Sequence, residues 1–374
     1  AGFAGDQETT QNIAPAFVWV LFSVGLVYVC ALLGNVWELI NPWKTIFSWL
    51  QKITRQSLSL SLPWPHAWHV WPAVILFFVF RWIENAYPGS GNPTFVSSMI
   101  IGYTLLTFTG MILFSKNTWL KKGDPFSVFF RLLSSFSIAQ YKNNTLVLRL
   151  PAVGIFNFKK ANASIMSFVM LMLSSIAFDG IKASASWEQL LQLGVTHNVP
   201  SLLVNTIGLL LMFGIFLAIY LFIAHVIELV LYSKEQGPEI AYTFVYSLLP
   251  IAIAYEFAHF LSFFLIESQR AFMLLFKPPN LTINFELLSP QLLWNLQVVL
   301  IVLGHVLSVY IAHVVALRFF HNKNKAVKSQ YPLIILMITY TIFSLWTLVQ
   351  YSQYPTRKVV LPQTTLTGCS SYLL

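Results

Sequence analysis

The chain has 374 residues, of which 57% are hydrophobic, 16% aromatic and only 9% charged, against about 25% charged in an ordinary soluble domain. One soluble core cannot hide so much apolar surface behind so few charges, which excludes a soluble enzyme, a disordered protein and a disulfide-stapled secreted scaffold. The formal net charge of +9 reads as a record of membrane topology and not as a nucleic-acid interface, because cationic loops mark one side of a bilayer.

In chain order, the sequence opens at Ala1 with no visible signal peptide. Eight apolar runs then reach the roughly 20 residues that a bilayer span needs. They lie at about 14–38, 68–87, 94–114, 163–183, 200–232, 239–266, 291–320 and 331–353. Runs this long without alternating polarity exclude strands, and lipid requires the backbone to satisfy itself within helices. The expected fold is therefore all-α, a polytopic transmembrane helical bundle of about eight spans. No linker or shift in composition divides it, so residues 1–374 read as a single integral membrane domain.

Three connecting segments have a pattern of their own. Asn41-Pro42-Trp43 opens a stretch carrying Ile46, Phe47, Trp49 and Leu50, which suits the membrane interface. Asp124-Pro125 is an N-cap followed by a first-turn proline, and Phe126, Phe129, Phe130, Leu133 and Phe136 follow at helical spacing. With Arg131 and serines opposite, this predicts a helix on the inner membrane surface, its Phe face buried in lipid headgroups or against the bundle. Asn143-Asn144 followed by Leu146, Leu148 and Leu150 predicts a small hairpin.

Lys and Arg set the orientation. Sixteen of the 22 fall in the loops after the first, third, fifth and seventh spans, five fall on the other side, and Arg81 lies inside a span. The rule that cytoplasmic loops are positive then puts the surface helix and hairpin in the cytoplasm and both ends of this chain outside. The setting this implies is an integral membrane protein, with the lipid bilayer as obligate partner, room for other membrane subunits, and no nucleic acid.

Ionisable residues inside a membrane are costly, so each is a site candidate. They are Arg81, Glu84, Asp179, His225, Glu228, Glu256, His259, His305 and His313. Glu256 and His259, three apart, share a helix face. A Glu-x-x-His pair on a bundle helix resembles the ligand pairs of carboxylate metal sites, and His305 on the next span could complete the set. One carboxylate and two imidazoles suit Zn, Fe or Cu. Asp179, Glu84, His313, His225 and Glu228 are then supporting groups or steps of a proton path. The competing reading of Glu256 and His259 is a buried hydrogen bond that fixes packing. Arg81 and Glu84 share a face and are expected to pair. Pro250 is expected to kink the sixth span just before Glu256. His305 and His313 stand about 12 Å apart along their helix, too far to share an ion, and paired haem ligands at matching depth are few. No phosphate-binding glycine loop, nucleophile elbow, Cys-x-x-Cys or His-Glu-x-x-His motif is present.

An ordered set of short motifs carries a family resemblance. It comprises Gly34-Asn35-Val36-Trp37, Asn41-Pro42-Trp43-Lys44-Thr45, Trp71-Pro72-Ala73, Thr118-Trp119-Leu120-Lys121-Lys122-Gly123, Phe178-Asp179-Gly180, Leu249-Pro250-Ile251-Ala252, Ala258-His259, and Gly304-His305 with His313. From about residue 3 to 350 the chain resembles the prokaryotic membrane proteins labelled fenitrothion hydrolase. The resemblance implies further helices upstream of Ala1, and its label implies organophosphate ester hydrolysis. Where the family pattern has His-x-x-Ala-His, this chain has Glu256-Phe257-Ala258-His259, a change that keeps a metal ligand and alters a haem site. Four readings stay open: a metal-binding redox or metalloenzyme subunit, a proton-coupled transporter with Glu256 titrating and His259 relaying, a metal-dependent hydrolase, and a structural subunit of a membrane complex.

Overall fold

The computed structural model describes residues 2–142, 145–231, 237–278, 282–320 and 322–353. Among these, eight helices are long and apolar enough to cross a bilayer: Ile13–Leu33, His66–Ala86, Pro93–Phe114, Ala163–Lys182, Ser201–Leu231, Gly237–Phe276, Pro290–Phe319 and Lys323–Gln350. Each coincides with one of the apolar runs. The molecule is an all-α bundle whose outer faces present Leu, Ile, Val and Phe to lipid, with one two-stranded exception. The fourth span is its axis, 83% buried, and it packs against the second, fifth, sixth and eighth.

The first span stops at Leu33, earlier than the apolar run. Gly34 has φ +117, a conformation that costs glycine little, and a Cβ there would stand 3.0 Å from the Ala139 carbonyl. Asn35 then caps a short second helix, Val36–Ile40. Within the first span, Ala16–Gly25 is π-helical, a wider coil usually confined to single turns and frequent at functional sites.

The segment Pro42–Thr54 is a helix capped by Asn41, which accepts from the Lys44 amide at 3.0 Å. Phe47 is buried, whereas Ile46, Trp49, Leu50 and Ile53 form an outward apolar face, as expected of an interfacial helix.

Of the two expected settings for the Phe-rich helix, the structure has burial against the bundle. It spans Pro125–Leu133, with a 3₁₀ turn at Ser134–Phe136. Phe126, Val128, Phe129, Phe130, Leu132 and Leu133 are all buried. Phe126 meets Phe22, Phe80 and Tyr103 edge-on at ring distances of 4.7, 4.9 and 5.2 Å. The apolar stripe is too wide for a helix lying on a surface, so the segment inserts among the spans and Arg131 donates to the Lys121 carbonyl. The hairpin forms from β1 (Ala139–Lys142) and β2 (Thr145–Leu148), antiparallel, with Ala139 opposite Leu148. The Asn143-Asn144 turn lies outside the described residues.

The sixth span is interrupted and not merely kinked. Helix Gly237–Phe244 passes through a 3₁₀ turn, Val245–Leu248, into helix Leu249–Phe276. Pro250 therefore sits in the first turn of the second piece, where its missing N–H leaves no helical acceptor unpaired. Ser308 of the seventh span donates to the Ser247 carbonyl at the break. The two spans touch at Gly304, where a Cβ would stand 2.2 Å from Ala254 Cβ and 2.8 Å from the Pro250 carbonyl. Gly304→Ala is expected to lower stability by about 1–3 kcal/mol through overpacking. Thermal unfolding in detergent measures it, and an unchanged Tm would contradict so close a contact.

Candidate functional site

The charged groups inside the bundle gather where the second, fourth and sixth spans meet, toward the end with few cations. Arg81 and Glu84 occupy the last turns of the second span and pair at 2.7 Å, as their spacing predicts. Arg81 also donates its second terminal nitrogen to Glu256 on the sixth span. Arg81 and Glu256 are 3% and 2% exposed, so lipid and water are both excluded from this pair. The guanidinium fork suits the task, because its terminal nitrogens can hold separate carboxylates. The rings of Phe77 and Phe129 lie 5.4 and 5.9 Å from its carbon.

One turn after Glu256, His259 is fully buried and bonds through Nε2 to Asp179 of the fourth span at 2.8 Å. Asp179 also pairs with Lys182, one turn on, at 3.0 Å. The two halves join through Asn85, whose amide nitrogen donates to the Arg81 carbonyl at 3.0 Å and whose own carbonyl accepts from Lys182 at 3.1 Å. Glu256 and His259 do share a working face, as their spacing requires, but they reach different partners on different spans.

The expected metal set is not assembled. Among the described residues, no three His, Cys, Asp or Glu side chains gather as metal ligands. Arg81 donates to one oxygen of the Glu256 carboxylate, which brings a cation and not further ligands to that group. His305 turns elsewhere: its Nδ1 donates to the Ile301 carbonyl of its own helix at 2.8 Å, and among the described residues its buried Nε2 meets no hydrogen-bond partner. The remaining candidates are local. His225 and Glu228 pair at 3.1 Å, and Glu228 accepts from the Gly237 amide at 3.0 Å. His313 bonds Gln330 of the eighth span at 2.8 Å.

Beside the network lies a cavity of about 510 Å³ whose walls include Glu84, Asn85, Asp179, Lys182, Glu267 and Arg270. The π-helical part of the first span adds Trp19, and the fifth span adds Asn205. A volume in the range of about 300–1,000 Å³ matches small-molecule sites. Glu267 and Arg270 pair at 2.8 Å within the helix. The apolar run ends at about 266, but the helix continues to Phe276. Lys182, Asn85, Glu267 and Arg270 were absent from the candidates. The signal that could have found the first was its spacing, three residues after Asp179, the same as Arg81 to Glu84. Comparison of the chain with family models, with curated proteins and with solved structures finds no match.

Proposed function

We propose that the protein is a proton-coupled membrane carrier whose coupling site is the Arg81–Glu84–Glu256 cluster. The observation that carries this reading is that one buried guanidinium serves two carboxylates beside a polar cavity. Two carboxylates and one cation leave a negative charge in a medium that penalises it heavily. Binding a proton removes that charge, and releasing it requires another cation to take its place. His259, hydrogen-bonded to Asp179 and one turn from Glu256, offers a route for the proton toward Asp179, which lines the cavity. The metal-subunit and hydrolase readings would both use the Glu256 carboxylate as a metal ligand, and the group that meets that carboxylate is the Arg81 cation. A purely structural role would favour complete charge pairing without a cavity alongside.

The test is proton flux into proteoliposomes under an imposed pH gradient. The wild-type protein is expected to carry protons, and Glu256→Gln, which keeps volume and removes the ionisable group, is expected to lose at least about tenfold in rate. Equal rates for the two proteins would overturn the reading. So would one equivalent of Zn, Fe or Cu in the purified protein that His259→Ala removes.

A further inference from the structure

The charges around the cavity can be counted span by span. On the fourth span Asp179 is matched by Lys182, and on the sixth span Glu267 is matched by Arg270. On the second span Glu84 shares Arg81 with Glu256 of the sixth. His259 of the sixth span faces Asp179. The first span, Ile13–Leu33, carries no charged residue, and the fifth contributes only Ser201 and Asn205 to this wall. Among the described residues, the one further group on these elements that could carry positive charge is His259, and it faces Asp179; the carboxylates of Glu84 and Glu256 share the single guanidinium of Arg81.

The shortfall is exposed at one place. Glu256 is 2% exposed and shut behind Arg81, whereas Glu84 is 18% exposed and lines the cavity. A ligand in the cavity therefore meets the carboxylate of Glu84 first. It also meets aromatic rings, since Trp19, Tyr87, Phe260 and Phe263 line the same space. Aromatic faces attract cations, most strongly when both are desolvated. A metal ion would want oxygen or nitrogen ligands on all sides, and an anion would want unshared cations, which the wall lacks. One under-compensated carboxylate among aromatic rings is the recognition chemistry of an organic ammonium ion.

We propose that the cavity binds an organic monocation, an amine or quaternary ammonium, against Glu84, in exchange for the proton of the Glu84–Glu256 pair. The exchange rests on the carrier reading above, while the binding itself does not. The charge balance is simple: one cation enters, one proton leaves, and no covalent bond changes.

The probe is benzyltrimethylammonium, titrated calorimetrically into detergent-purified full chain, with benzyl alcohol as the uncharged aromatic control. Binding is expected for the cation and not for the alcohol. Titration in buffers of different ionisation enthalpy is expected to show about one proton released per cation bound, and acid is expected to weaken affinity by up to about tenfold per pH unit. Glu84→Gln is expected to weaken binding at least about tenfold and to abolish the proton release. Should that variant fail to fold, Phe263→Leu tests the aromatic wall separately, with affinity lowered several-fold and proton release per bound cation unchanged. Equal affinity for the alcohol, undiminished binding by Glu84→Gln, or no binding by the wild type would each overturn the proposal. Proton flux in proteoliposomes without cation binding would sink the ammonium site alone. Cation binding without proton flux would keep the site and remove the carrier.

Discussion

Arg81→Met is expected to destabilise the protein by about 3–5 kcal/mol, the cost of leaving a buried charge without its partner. The effect is large because two carboxylates lose their cation at once, Glu84 at 2.7 Å and the buried Glu256. Methionine keeps the apolar packing against Phe77 and Phe129, so the loss reports charge and not volume. Thermal unfolding in detergent measures it. The double variant Arg81→Met, Glu256→Gln is expected to regain part of the stability, because the stranded charge is gone. If the double variant is as unstable as the sum of the two single variants, the two residues do not interact and the cluster is wrongly assigned.

Asp124→Ala is expected to cost about 2–4 kcal/mol. The carboxylate caps the Pro125–Leu133 helix by accepting from the Ser127 amide at 2.9 Å, and it also accepts from the Tyr103 and Ser127 hydroxyls. Alanine removes the cap and leaves buried donors unpaired. Asp124→Asn keeps an acceptor, and it adds a pH test. Burial pushes the Asp124 carboxyl above the ordinary carboxylate range. A raised acid contributes stability that is complete below the ordinary value and is lost as pH rises through its elevated one. The Tm difference between Asp124→Asn and wild type is therefore expected to shift in favour of the variant as pH rises from about 4. A difference that moves the other way would show the ionised form to be the preferred one in the fold.

The spans were legible because lipid leaves a helix few ways to be built: length and apolar content alone located all eight. The Pro125–Leu133 helix was legible as a helix and its setting was left open, since a stripe of Phe looks the same whether it meets lipid headgroups or other spans. What decides is the set of rings that meets it, Phe22, Phe80 and Tyr103, and these come from three separate spans. The site shows the same limit. Glu84, Asp179, Glu256 and His259 were all visible as costly residues, and the Arg81–Glu84 pair followed from spacing within one helix. The partnerships of Arg81 with Glu256 and of Asp179 with His259 cross between spans, so no local periodicity encodes them. His305 was drawn into the metal set by depth alone, and depth along a helix says nothing of rotation about its axis.

The Arg81–Glu84 pair has a consequence for how the chain is made. Arg81 emerges from the ribosome 175 residues before Glu256, so the second span, the least apolar of the eight, must enter the bilayer before its distant partner exists. A lone arginine costs roughly 2.5–3.5 kcal/mol at insertion when it lies at the centre of a helix and less toward its end, where Arg81 lies. Glu84, one turn away and already in place, offsets the charge within the helix itself. The short-range pair thus acts as an escort that carries the guanidinium into the membrane, and synthesis of the sixth span later recruits the same guanidinium to join two distant parts of the chain.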